Sequence, residues 1–153
     1  MPEYFDISLI APKTKSSKSE IEFCLNGFGL SEGENISKIF SRRQIIVTII
    51  DDGETDFEEL SIGLPEQIFH KNTFKEELKE LTNFISRFFE CNRNFKYALC
   101  SYELNGYLLS KIKKFEELNN SDWLRRFPIV FERKKPFEIP SLKTNIEAQD
   151  IFV

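Results

Sequence analysis

Histidine occurs once in the 153 residues, as do methionine and tryptophan. A single imidazole, His70, excludes every metal site that needs two. It leaves at most one Cys–His or Ser–His pairing, and in "FHKNT", just ahead of a helix start, a solvated loop position is the expectation. The three cysteines, Cys24, Cys91 and Cys100, make an odd count with no C-x-x-C spacing. Neither a disulfide framework nor a zinc knuckle is indicated, and reduced thiols in a cytoplasmic protein are expected. No apolar run approaches the roughly 20 residues of a membrane span. The start, "MPEYFDISLI", carries Glu3 and Asp6 where an export signal carries Lys or Arg. Glycine-rich phosphate loops, G-x-S-x-G and H-E-x-x-H are all missing, so no cofactor is expected.

Phenylalanine is the abundant residue, at 16, within 41% hydrophobic and 30% charged residues. A Phe-rich core is the simpler explanation than an aromatic platform for nucleic acid. The length suits one domain, 1–153, able to remove roughly 70% of its unfolded surface from water. No repeat or linker interrupts it. From about residue 136, Pro136 and Pro140 suggest an extended C-terminal strap, which is also a candidate for self-association into a homo-oligomer.

The pattern predicts an α+β fold: a mostly antiparallel sheet of five to six strands, one long amphipathic helix over about 73–91 packed on one face, and a short second helix. "EYFDISLI" alternates as a half-buried strand. "EIEFCLNGF" reads as another, closed by Asn26-Gly27, and "GLSEGENIS" as a loop. In "KIFSRRQIIVTII", Ile45, Ile46, Val47, Ile49 and Ile50 form a β-branched cluster that reads as a central strand. "DFEELSIGL" returns as its partner, with a bulge or an edge position where alternation falters. In "TFKEELKELTNFISRFFECN", Thr73 and Glu76 have capping-box spacing. Phe74, Leu78, Leu81, Ile85 and Phe88 form one stripe, whose burial is worth roughly 8–15 kcal/mol before entropy. "NFKYALCSYEL" is apolar on both sides, as an interior strand would be. Residues 107–118 suit either strand or helix, "SDWLRRF" a short capped helix, and "PIVFER" a last strand.

The densest charged feature is "DDGETDFEE". Asp51, Asp52, Glu54, Asp56, Glu58 and Glu59 lie within nine residues. An EF-hand with Gly53 at position 6 and Glu59 at position 12 would need ligands at Thr48, Ile50 and Asp52, so calcium fails on two of three. A solvated hairpin tip is one reading. The other is a docking surface for a protein with a basic surface, because clustered charge steers encounter.

The net charge is −4, unevenly spread: residues 1–90 hold 10 Lys/Arg against 17 Asp/Glu, and residues 91–143 hold 11 against 6. The basic 111–135 region could follow a phosphate backbone, although its interleaved acids argue against nucleic acid as a partner. Asp122, Glu132 and Lys134 loosely match the Asp…Glu-x-Lys pattern of Mg²⁺-dependent nucleases, but Asp122 reads as a helix cap. The function expected is non-catalytic protein binding. Its most concrete form is an inhibitor or immunity-type protein that neutralises a basic bacterial toxin or enzyme.

Overall fold

The strand β1 (Phe5–Pro12) is the middle member of a seven-stranded sheet. The computed structural model describes residues 5–14, 17–36, 44–50, 53, 55–64, 74–102, 112–119, 127–134 and 141–144. After β1 come α1 (Ser17–Gly27), β2 (Gly33–Ile36), β3 (Gln44–Ile50), β4 (Phe57–Leu64), α2 (Phe74–Cys91) and β5 (Tyr97–Tyr102). A 3-10 turn (Phe115–Asn119), β6 (Ile129–Glu132) and β7 (Ser141–Thr144) complete the order. The strands lie as β2-β3-β4-β1-β5-β6-β7, and each neighbouring pair is antiparallel. This is the α+β architecture expected, with two short strands at the sheet margins.

Both helices cover one face. Phe5, Ile7 and Leu9 of β1, Leu60 and Ile62 of β4, and Phe131 of β6 meet Ile21 and Leu25 of α1 and Leu81, Ile85 and Phe88 of α2 in one buried cluster. Phe88 stands edge-on to Phe95, ring centroids 5.1 Å apart, and Phe28 edge-on to Phe84 at 5.0 Å. Such pairs add to simple area burial. Leu81, Ile85 and Phe88 of the α2 stripe are therefore core, with Leu78 packed against them, and Lys75, Glu76, Lys79 and Arg87 on the other side are exposed. The second face carries a smaller cluster, with Ile10, Phe57, Tyr97, Leu99 and Val130 beneath Ile112, Leu118 and Phe127.

Several expectations are corrected. "EIEFCLNGF" belongs to a helix, not a strand. Ile21 and Leu25 fit a period of 2 and of 3.6 alike, and the deciding pair is Cys24, buried, against Phe23, 75% exposed. The helix begins with reciprocal capping: the Thr14 amide donates to Ser17 Oγ, and the Ser17 amide donates to the Thr14 carbonyl. It ends in a Schellman turn. The Leu30 amide donates to the Leu25 carbonyl, the Gly29 amide to the Asn26 carbonyl, and Gly29 takes φ of 73°.

The expected loop after it contains the edge strand β2. β1 is not half-buried, since Asp6 and Ser8 are as covered as Ile7. β4 is neither bulged nor an edge: it pairs without interruption with β1 from Phe57↔Pro12 to Leu64↔Phe5, and with β3 from Glu59↔Ile50 to Gly63↔Ile46. β7 lies within the supposed strap and pairs with β6. Of 107–118, only 112–118 is described, and its last four residues enter the 3-10 turn. The expected helix over 121–126, Thr73 and His70 lie outside the described residues.

The reduced-cysteine expectation is also corrected. Cys24 and Cys91 form a disulfide between α1 and α2, with Cα atoms 5.9 Å apart and 67 residues between them in sequence. Closing a loop of that length removes about 4 kcal/mol of unfolded-state entropy. Cys100 is a buried free thiol whose pKa burial pushes up, which keeps it unreactive.

Candidate functional site

The acidic run divides once it is folded. Asp51, Asp52 and Glu54 lie outside the described residues. Asp56 is exposed, yet its carboxylate accepts a hydrogen bond from the Phe115 amide and so caps the 3-10 turn. Glu58 and Glu59 are 4% and 0% exposed. Placing them on an accessible acidic surface is therefore corrected: β4 has a strand on each side and cover on both faces, so its carboxylates point into the protein.

Alternation puts Glu58 with Leu60, Ile62 and Leu64, and Glu59 with Ser61 on the opposite face. There Glu59 joins Asp6 and Ser8 of β1, all three buried. Ser8 Oγ donates to Glu59 Oε2 at 2.7 Å, while Oε1 has no hydrogen-bond partner among the described residues. Burial raises the Glu59 pKa to about 7, the Ser8 hydrogen bond opposes this, and the Asp6 charge adds to it. Chemically this is a carboxyl half-protonated near neutrality. With Ser8 and Glu59 both fully enclosed, it is a proton store inside the sheet and not a surface that a substrate reaches.

The end of the sheet that holds the hairpin is also where the later cations gather. The Lys13 amide donates to the Asp56 carbonyl, and the Asp56 amide to that of Lys113. Next to them, Lys96 precedes β5 and Arg133 and Lys134 follow β6. Lys13, Lys96, Lys113 and Lys134 thus gather at this end of the sheet, beside the exposed Asp56.

Arg133, assigned by the sequence to a phosphate-following cluster, is instead 4% exposed. Its guanidinium donates to the carbonyls of Phe89, Asn92 and Phe95 and lies over the Phe89 ring, 4.8 Å from its centroid. The last carbonyls of α2 lack helical partners, and a cation there also opposes the helix dipole. Sequence reasoning missed this role; an arginine immediately after an apolar strand was its only trace. Burial, and then the Arg93 charge, lower the Arg133 pKa from its usual value.

The nuclease-like trio is not assembled by the described residues. Glu132 is half-buried in register with Tyr97, whose hydroxyl is pushed up to about 12 by burial and then by the Glu132 charge. Lys134 is exposed, and Asp122 lies outside the described residues. Among the described residues no group of three His, Cys, Asp or Glu is placed to hold a metal ion. No described helix is long and apolar enough to cross a membrane.

Among the described residues the large accessible apolar side chains are elsewhere. Ile36 on β2 is 83% exposed and Phe23 on α1 75%. Ile36 borders a cleft of about 460 Å³ with Glu34, Asn35 and Gln44. Glu32, at the start of the same edge, receives the Ile49 amide on its carboxylate and stands 4.0 Å from Lys18. Set against known protein families, curated proteins and solved structures, the chain matches none.

Proposed function

We propose that the chain is a non-catalytic protein-binding module whose acidic margin takes a partner with a basic surface. Its most concrete form remains an inhibitor or immunity-type protein that neutralises a basic bacterial toxin or enzyme. The observation that carries the reading is the edge strand β2, which presents Ile36, 83% exposed, beside the exposed carboxylate of Glu34. An accessible aliphatic anchor with a carboxylate beside it offers a charged partner both steering and hold. Antiparallel pairing of Gly33 with Val47 brings the start of β2 toward the hairpin end of β3. Glu32 and Glu34, both exposed, supply the described carboxylates of this margin in place of the buried Glu58 and Glu59. The Cys24–Cys91 bond favours an oxidising setting over the cytoplasm that the cysteine count suggested.

The test is affinity capture from the source cells with the native chain and with the double variant Glu34→Lys/Ile36→Asp. A basic protein is expected on the native chain at low salt. Its association rate with the variant should fall at least tenfold, because reversed charge at a docking edge acts mainly on encounter. A partner that binds both proteins equally removes β2 from the interface.

A further inference from the structure

We propose that Cys91 is a site of reversible S-thiolation: a low-molecular-weight thiol enters the cleft beside it, opens the Cys24–Cys91 bond and thereby loosens α1. This does not depend on the acidic margin and concerns a different part of the molecule.

The two ends of the bond differ in access. Cys24, within α1, is 2% exposed, whereas Cys91, the last residue of α2, is an exposed one. Both line one cleft of about 410 Å³, walled by Ser19 and Phe23 of α1 and by Asn92 and Asn94 beyond α2. A cleft of that size admits a small molecule. Enclosed structural disulfides resist exchange, and exposed ones are the labile members. A thiolate R–S⁻ attacks Cys91 Sγ, an R–S–Sγ bond forms, and the electron pair of the broken bond leaves on Cys24 Sγ, which takes a proton from water. A second thiolate then attacks the R sulfur, releases Cys91 as a thiolate and departs as the oxidised R–S–S–R.

The bond matters unequally to the two helices it joins. The end of α2 is held without it, because Arg133 donates to the carbonyls of Phe89, Asn92 and Phe95. Along α2, Leu81, Phe84, Ile85, Phe88 and Phe89 are all buried. By contrast, α1 buries four of its 11 residues, Ser17, Ile21, Cys24 and Leu25. Beside the bond, Asn94 Nδ2 donates to Glu20 Oε2 at 3.1 Å, a solvent-exposed contact between α1 and the turn after α2. Opening the bond therefore acts on α1 more than on α2. Phe28, the residue after α1, packs against Phe84 and Phe88. That contact keeps the loosened helix within reach of Cys91, so the bond re-forms when an oxidised thiol is supplied.

The probe is reduced glutathione, added to the whole oxidised chain over about 1–50 mM, quenched with acid, the adducts being located by peptide mass spectrometry. The rate of bond opening should rise in proportion to glutathione and, at the top of the range, exceed the rate of global unfolding from urea kinetics at least tenfold. The first adduct should be on Cys91. After full reduction with dithiothreitol the circular dichroism spectrum should persist, and the buried Cys100 should stay unalkylated by iodoacetamide. Relative to those of α2, the amides of α1 should exchange hydrogen at least tenfold faster than they do in the oxidised chain. Oxidised glutathione should restore the bond and remove that difference. An opening rate that never exceeds global unfolding overturns the proposal, because thiols then reach the bond only in the unfolded chain. So does a first adduct on Cys24, or a reduced chain that unfolds or loosens α1 and α2 alike.

Discussion

On β1, Phe5, Ile7 and Leu9 point toward the helices while Asp6 and Ser8 point the other way, and all five are buried. The same division runs across β4, with Leu60 and Ile62 against Glu59 and Ser61. The helix-covered face is a continuous Phe-rich core stapled by the Cys24–Cys91 bond. The second face is part apolar cluster and part polar row, and contains a carboxylate oxygen without a described partner. Burial of the helix-covered face is driven mainly by apolar area, although the buried Glu58 lies there too. Burial of the other imposes a cost that depends on the protonation of one side chain.

The largest expected effect lies on the helix side. Phe88→Ala removes a fully buried ring that packs against Phe28, Phe84 and Phe95. It should cost about 4 kcal/mol, as large-to-small changes at enclosed aromatic sites do. Urea denaturation checks this, and the loss should be the same at pH 4.5 and pH 8. A loss under 1 kcal/mol would mean that the helices rest on the sheet loosely, and the contrast between faces would fail at its stronger end.

The second face should respond to pH instead. The Glu59 pKa rises from 4.5 to about 7 on folding, so the native state holds the proton more tightly than the unfolded chain between those values. Stability is then highest below about pH 4.5 with respect to this group, and falls as pH rises through 7. Glu59→Gln keeps the shape, removes the charge, and should stabilise the protein at pH 8 by up to roughly 3 kcal/mol, the equivalent of that shift. At pH 4.5 the variant should match the parent within a few tenths. A destabilised variant at pH 8 would show that the ionised carboxylate is compensated, and the second face would then differ from the first only in composition.

Much of the fold was legible. The α2 stripe has five apolar residues in helical phase, and the β-branched run of β3 excludes most alternatives. α1 was misread because Ile21 and Leu25 satisfy strand and helix periods equally, and only Phe23 against Cys24 distinguishes them. The site was less legible than the fold. Six acids in nine residues look like surface, but exposure depends on whether β4 has neighbours and cover, which alternation within β4 cannot report. Cys24 and Cys91 carry no spacing signal, because the bond between them depends on two helices lying side by side.

The smallest effect sharpens the comparison most. Ile7 and Ile10 sit on the same strand, both fully buried, on opposite faces. Ile→Val at either should cost about 1 kcal/mol. Ile10, however, lies directly across from Glu59 in the β1–β4 register, so trimming its methyl relaxes the enclosure of that carboxylate. At pH 4.5, where Glu59 is neutral, Ile10→Val should cost as much as Ile7→Val. At pH 8 its cost should drop to about half, because the looser wall partly restores solvation to an ion that burial had stripped. Ile7→Val should cost the same at both pH values. Equal losses for Ile10→Val at both would mean that the apolar cluster and the polar row of the second face are energetically separate, although they share a strand.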